Sequence, residues 1–90
     1  MVRISIPPTL RRFCGDEDSI QVEPGTVGTA FDQLRVRFHG VHERLFNPDG
    51  HLRGSVLVFV NEEDIRFLRE HETPLQSGDE VTIIPAFAGG

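Results

Sequence analysis

The last residues of the chain carry its most unusual chemical feature, a carboxyl group behind two glycines. An apolar stretch ends in Ile84, and Pro85 and small residues lead to Gly89 and Gly90. Glycine has no side chain and costs the most entropy to fix, so two terminal glycines stabilise a domain little. Proline tends to end sheet pairing, after which five extended residues reach roughly 17 Å. We therefore predict that this tail carries its carboxylate into a narrow active site of another protein; an ordinary frayed end is the alternative.

The other polar side chains predict no catalytic site within the chain. The four histidines stand at positions 39, 42, 51 and 71, with no cysteine or carboxylate at a zinc-ligand spacing around them. The acidic run from Glu62 to Asp64 is interpreted as a solvated turn, because no apolar neighbour would raise a carboxyl pKa there. No nucleophile elbow, glycine-rich phosphate loop or metalloprotease motif is present. We expect no catalytic residue, no metal and no bound cofactor.

Length and charge limit the class of protein. Ninety residues make one domain, which we assign to residues 1–90 with an extended tail at 85–90. The net charge of −5 argues against a nucleic-acid partner and favours an electropositive protein partner. The sequence contains neither a membrane-spanning stretch nor a signal peptide, so we expect no membrane partner and a cytoplasmic location.

The basic residues and the cysteine add further limits. All nine basic residues are arginine, which removes the lysine of Schiff-base chemistry and any side-chain amine for isopeptide branching. The single cysteine, Cys14, cannot form an internal disulfide. We interpret it as a small packing residue, with a reactive thiol as the alternative.

Apolar periodicity predicts the elements that position the tail. Alternating or continuous apolar residues indicate strands at 2–6, 19–22, 55–61 and 80–84, with a short strand at Ile65 to Phe67. Thr26 is a suitable N-cap for a helix whose apolar face runs from Val27 to Phe38. Gly40 is predicted to cap that helix in the left-handed conformation, and residues 41–46 add a helical turn.

The order strand, strand, helix, strand, short strand, strand predicts an α+β fold. One main helix would cross one face of a mixed sheet of four to five strands, which is the layout of a β-grasp, or ubiquitin-like, fold. Because successive side chains of a strand point to opposite faces, ten apolar strand residues are predicted to face the helix. They are Val2, Ile4, Ile6, Ile20, Val22, Val56, Val58, Val60, Val81 and Ile83.

The same parity places Leu57, Phe59 and Ile84 on the opposite face, which no helix covers in this architecture. Three apolar side chains clustered on an open sheet face beside the tail are typical of a docking surface. We predict that a partner binds there; a loop covering the face is the alternative.

Several motifs resemble those of the ubiquitin-like sulfur-carrier proteins of the ThiS and MoaD type. They are Val58 to Asn61, Leu75, the run Gly78 to Pro85, and the ending Phe87 to Gly90. The resemblance covers nearly the whole chain. It is strongest to the actinobacterial carriers of cysteine biosynthesis, because thiamine-pathway carriers usually lack the stretch near 39–54. The small subunit of molybdopterin synthase more often has a second proline where Ala86 stands.

The resemblance implies a function in which the chain is a protein cosubstrate and not an enzyme. An E1-like enzyme would consume ATP and magnesium to adenylate Gly90, and sulfur would then replace AMP to give a thiocarboxylate. Gly89, Ala88 and Phe87 would thread the tail through the enzyme's channel. The implied acceptor is a pyridoxal-phosphate enzyme resembling cysteine synthase, or a thiosugar synthase, with a metalloprotease releasing the product.

Three other functions stay open at this stage. The chain would serve as the small subunit of molybdopterin synthase, as a ubiquitin-like protein modifier, or as a plain β-grasp binding module. The absence of lysine disfavours a modifier that forms chains but permits single conjugation.

Overall fold

The computed structural model describes residues 1–85, and in this part the main elements follow the predicted order. The strands are β1 (Val2–Ser5), β2 (Ser19–Val22), β3 (Gly25–Thr26), β4 (Val56–Val60), β5 (Glu63–Asp64), β6 (Pro74–Leu75) and β7 (Glu80–Pro85). The α-helices are α1 (Val27–Arg37) and α2 (His39–Leu45), and short 3-10 helices span Pro8–Phe13, Ile65–Phe67 and Glu70–Glu72. Within residues 1–85, no helix is long and apolar enough to cross a membrane.

Five strands form one mixed sheet in the order β2-β1-β7-β4-β5. The middle strand, β7, pairs in parallel with β1 and antiparallel with β4. Strands β3 and β6 form a separate antiparallel pair. This is the predicted mixed sheet, with β7 enclosed on both sides by neighbours that fix its direction.

The core lies between the sheet and the helices. All ten strand residues that parity assigned to the helix side are buried, which confirms that prediction. They pack in one cluster with Val27, Ala30, Phe31 and Leu34 of α1. Each buried aliphatic side chain contributes about 1.5 to 3 kcal/mol before the entropy of ordering is subtracted. The apolar alternation of the strands therefore fixes which face of the sheet stays open.

Thr26 is the N-cap of α1, as predicted. Its Oγ1 accepts a hydrogen bond from the Thr29 amide at 3.2 Å, and the Thr29 hydroxyl accepts one from the Thr26 amide at 2.9 Å. This reciprocal arrangement satisfies amides that have no partner within the helix.

The prediction that Gly40 caps α1 is wrong. The helix ends at Arg37, the chain extends at Phe38 with φ −141°, and Gly40 lies inside α2. A side chain at Gly40 would bring its Cβ within 3.5 Å of the Phe13 ring. That is an ordinary van der Waals distance, so the position does not require glycine. The helix α1 ends earlier because the extended backbone at Phe38 interrupts it.

Two boundaries near the end of the chain also differ from the predictions. The short strand at Ile65–Phe67 is a 3-10 helix, because Asp64 caps it by accepting a hydrogen bond from the Arg66 amide at 2.9 Å. The edge strand is Glu63–Asp64 instead. Pro85 does not stop the last strand, since it lies opposite Val56 as the final residue of β7. A proline at a strand end removes only its own donor.

Hydrogen bonds connect the residue before β1 to the turn that precedes β7. The Met1 amino group donates to Ser77 Oγ at 2.8 Å, and the Gly78 amide donates to the Met1 carbonyl at 3.0 Å. Gly78 has φ +96°, a conformation that favours glycine in this turn. Because β1 and β7 are parallel, Met1 and Pro85 lie at opposite ends of the sheet.

Candidate functional site

The middle strand β7 delivers the C-terminal segment to one end of the sheet. Pro85 is the last described residue, and its neighbour across the ladder is Val56, the first residue of β4. The residues predicted to thread into a partner and to take up sulfur, Phe87, Ala88, Gly89 and Gly90, lie outside the described residues. The structure thus shows the base from which this segment leaves.

The three predicted docking residues share one face of the sheet. Leu57 lies directly opposite Ile84 on the neighbouring strand, and Phe59 lies opposite Thr82. Ile84 keeps 40% of its surface exposed, while Leu57 and Phe59 are half-buried. The helices pack on the other face, so these side chains form an apolar patch, which we call the open-face patch. Its use in docking stays a prediction.

An ion pair between buried Asp64 and exposed Arg66 borders the open-face patch. Asp64 lies opposite Phe59 in the ladder between β4 and β5. Its carboxylate accepts hydrogen bonds from the Arg66 guanidinium, at 3.0 Å from Nε and 2.7 Å from Nη2. The Asp64 side chain is 8% exposed and that of Arg66 is 62% exposed.

This geometry corrects the interpretation of residues 62–64 as a solvated turn. Asp64 is a buried strand residue, although Glu62 and Glu63 are exposed. Hydrogen bonds from the Arg66 side chain and then from its amide lower the pKa of Asp64 below its ordinary value. A carboxyl held in the ionised form is unsuited to act as a general acid, and its effect is to fix the Arg66 guanidinium beside the patch.

A groove next to Pro85 is the part of the site that sequence reasoning missed. Its volume is about 670 Å³, and its lining includes Arg12, Phe13, Arg44 and Arg53. These residues come from the first 3-10 helix, from α2 and from the loop before β4. No local motif joins segments so far apart along the chain.

Cys14 is fully buried, as predicted for a packing residue. Burial raises the pKa of its thiol, because the charged thiolate is poorly solvated in the core. At neutral pH the thiol is therefore protonated and shielded.

The four histidines are divided between α2, the loop before β4 and the 3-10 helix at Glu70–Glu72. The ring of His42 stacks on Phe46 at 4.6 Å between centroids, and His71 lies 5.8 Å from the same ring. Exposed His51 lies 3.3 Å from an Asp49 carboxylate oxygen. Within residues 1–85, no three histidine, cysteine or carboxylate side chains come together as metal ligands would.

Comparison with known proteins gives matches over nearly the whole chain. A model described as the ThiS family matches residues 4–90. The sulfur carrier protein CysO of Mycobacterium tuberculosis is 40% identical over 91 residues, which cover 99% of this chain and 98% of CysO. Ubiquitin-related modifier 1 of Laccaria bicolor is 31% identical over 94 residues, covering 98% of this chain and 77% of the modifier.

A solved structure supports the same relationship at the level of the fold. A chain in the crystal structure of the Amycolatopsis orientalis BexX/CysO complex superposes with a TM-score of 0.90 at 38% identity, with both chains covered completely. The predicted β-grasp fold is thereby confirmed.

Proposed function

This chain belongs to the ThiS family and is a sulfur carrier protein, and we propose that it carries sulfur as a thiocarboxylate on Gly90. The observation that carries the proposal is the course of β7. This central strand ends at Pro85, on the rim of the sheet, five residues before Gly90. A family match that extends through residue 90 supports the assignment of chemistry to that end.

The proposed chemistry has two steps, adenylation of the carboxylate and replacement of AMP by sulfur. A carboxylate is a poor electrophile, so an E1-like enzyme first joins the Gly90 carboxylate to the α-phosphate of Mg-ATP, releasing pyrophosphate. A sulfur nucleophile then attacks the acyl carbon and expels AMP, which leaves a C–S bond where a C–O bond stood. The ATP and magnesium belong to the enzyme, and the chain itself is the cosubstrate.

The role of the folded domain is to deliver this reactive group to chosen enzymes. Gly89, Ala88 and Phe87 pass through the narrow channel, where glycine gives clearance because it has no side chain. The open-face patch of Leu57, Phe59 and Ile84 docks on the enzyme surface around the channel mouth. A structure of a complex containing the related CysO supports docking of such a domain on a protein partner.

We propose cysteine biosynthesis as the pathway served. The acceptor would be a pyridoxal-phosphate enzyme resembling cysteine synthase, and a metalloprotease would release the product. The 40% identity to CysO of Mycobacterium tuberculosis supports this choice over the small subunit of molybdopterin synthase. A thiosugar synthase is proposed as a second acceptor, since the same thiocarboxylate can be offered to any enzyme that the domain fits.

A second candidate function, protein modification, is favoured by the similarity to ubiquitin-related modifier 1. In that role the activated Gly90 would form an amide bond with a lysine of another protein. The two functions share the adenylation step and differ in the nucleophile that follows.

Intact-protein mass spectrometry separates these functions. The chain is incubated with the adenylating enzyme of its source organism, ATP, magnesium and sulfide, and we expect it to gain the mass difference between sulfur and oxygen. A Cys14→Ser variant should gain the same mass, while a variant lacking Gly90 should gain none. An unchanged mass with an enzyme that releases pyrophosphate would refute the carrier function, and an adduct to a lysine of another protein would favour the modifier.

A further inference from the structure

The groove beside Pro85 carries a local charge opposite to that of the whole chain. Arg12, Arg44 and Arg53 line it, and Glu43 is the one carboxylate among the lining residues. The complete chain has nine basic and fourteen acidic residues, a net charge of −5. A cationic spot on an anionic protein is a distinct electrostatic feature, and this one lies where the C-terminal segment leaves the sheet.

Two of the three guanidinium groups are held by one aromatic ring. The Cζ atom of Arg44 lies 4.5 Å from the centroid of the half-buried Phe13 ring, and that of Arg12 lies 4.9 Å from it. Cation–π contacts of this kind contribute about 0.5 to 1 kcal/mol each at exposed sites. They leave the guanidinium N–H donors open to solvent, and both arginines are exposed.

Hydrogen bonds to uncharged acceptors hold the guanidinium group of Arg53 in place. Its Nε and Nη2 donate to the Glu43 carbonyl at 3.3 and 3.1 Å, and its Nη1 donates to Asn47 Oδ1 at 3.2 Å. These bonds orient the side chain without cancelling its charge. Within residues 1–85, the arginines that form ion pairs are Arg3, Arg35 and Arg66, none of which lines the groove.

We propose that this groove receives an acidic surface segment of the enzyme that activates the tail. The inference rests on the proposed function, because an enzyme that takes in Gly90 must approach the sheet at Pro85. Five extended residues span roughly 17 Å, so the enzyme surface around its channel comes close to the groove. Arginine forks bind carboxylates in a bidentate manner, so the open forks of Arg12 and Arg44 fit a segment rich in aspartate or glutamate. The nearby charge of Arg53, whose donors already bind Glu43 and Asn47, adds to the attraction.

The groove complements the open-face patch in the recognition of this partner. Apolar side chains supply most of the affinity of an interface, while charged rims increase the association rate and fix the orientation. The net charge of −5 attracts a partner that is electropositive overall, and the cationic groove pairs only with a local acidic segment of that partner. This local pairing next to the tail selects the productive orientation.

Charge reversal tests the proposal. The affinity of the carrier for the adenylating enzyme of its source organism is measured at about 50 and about 300 mM NaCl. We expect Arg12→Glu and Arg44→Glu each to weaken binding about ten-fold at the lower salt and less at the higher salt. The control is Arg69→Glu, which makes the same charge change at an exposed position near Val60 and Asn61, at the other end of β4. It should change the affinity about two-fold or less.

Each other outcome has a defined meaning. Equal weakening by Arg69→Glu would show that only the overall charge matters, and unchanged binding of both groove variants would show that the groove is not used; either result overturns the proposal. Binding of inorganic phosphate to the carrier alone, abolished by Arg44→Glu while the enzyme affinity is unchanged, would assign the groove to a free anion and overturn it as well. If a Glu variant melts markedly lower than the wild type, Arg12→Gln and Arg44→Gln repeat the test with smaller perturbation.

The failure of this inference and the failure of the proposed function are distinguishable. A wild-type carrier that gains sulfur while the Glu variants bind normally would refute the groove alone. A wild-type carrier that binds the enzyme but gains no sulfur would refute the thiocarboxylate function, and the affinities of the variants would still report on the groove.

Discussion

Leu57 and Ile84 lie directly opposite each other on adjacent antiparallel strands, and they join the open sheet face to the strand that leads into the tail. A partner that covers this pair is therefore positioned one residue from Pro85. In the proposed mode of docking, this register couples binding at the open-face patch to delivery of the C-terminal segment.

We expect Phe59→Ala to weaken binding to the adenylating enzyme by about 2 kcal/mol, roughly thirty-fold in Kd, because it removes a central aromatic anchor. Alanine is preferable to aspartate here, since an aspartate at 59 would face Asp64 across the ladder and destabilise the sheet. Affinity can be measured by titration calorimetry.

The matched control for the open-face patch is a pair of aspartate substitutions at exposed aliphatic residues. Ile84→Asp changes the patch, and Val36→Asp changes α1, where Val36 is 73% exposed. Only Ile84→Asp should weaken binding. Equal effects of the two variants, or none from Phe59→Ala, would place the docking surface elsewhere.

Deleting Gly89 and Gly90 should leave the melting temperature within about 2 °C of the wild type, because glycine has no side chain to bury. Calorimetry of the two proteins provides the measurement. Leu34→Ala serves as the reference for a true core loss, since Leu34 is 1% exposed and its truncation should cost about 2 to 5 kcal/mol. A decrease after the deletion comparable to that of Leu34→Ala would mean that the tail packs into the domain.

A thiol-selective alkylating reagent should leave the folded, unmodified chain unlabelled, because Cys14 is fully buried and burial raises its pKa. The same reagent should label Cys14 completely in urea, which mass spectrometry can quantify. After activation and sulfur transfer, the folded protein should acquire one label. Rapid labelling of the folded chain before activation would contradict the observed burial.

The ion pair of Asp64 with Arg66 should make stability depend on pH in the acid range. The pKa of Asp64 is lowered from its ordinary value of 3.8, so its contribution is fully present above that value and is lost as pH falls through the lower folded value. Urea unfolding should show wild type and Asp64→Asn converging in stability below pH 3.8. A stability difference that is constant with pH would show that the pair does not contribute in this way.

Prediction from the sequence was most accurate for strands with alternating apolar residues, in which one face is buried. Period-two alternation in Val2 to Ile6 and in Val81 and Ile83 correctly assigned the two faces of the sheet, because a strand has only two faces and the apolar one must be covered. The same rule placed Leu57 and Ile84 together on the open face of the sheet. It required no knowledge of distant contacts.

Prediction failed where tertiary contacts decided the local structure. Gly40 lies within α2 because α1 already ends at Arg37, where Phe38 becomes extended and packs against the core. Asp64 was missed for a different reason, because its partner Arg66 is only two residues away and the acidic run was interpreted without it. The arginine groove is assembled from three separate segments, so neither composition nor spacing could reveal it.

The opposite placement of Met1 and Pro85 has a practical consequence for handling the molecule. Along β7 alone the separation from Glu80 to Pro85 is roughly 17 Å, and Met1 lies beyond the start of that strand, bonded to Ser77 and Gly78. A fluorophore, a surface anchor or a second protein joined ahead of Met1 would therefore emerge from the far end of the sheet. Carriers immobilised in this way would present the Pro85 end of the sheet away from the support, as an oriented monolayer accessible to a partner enzyme in solution.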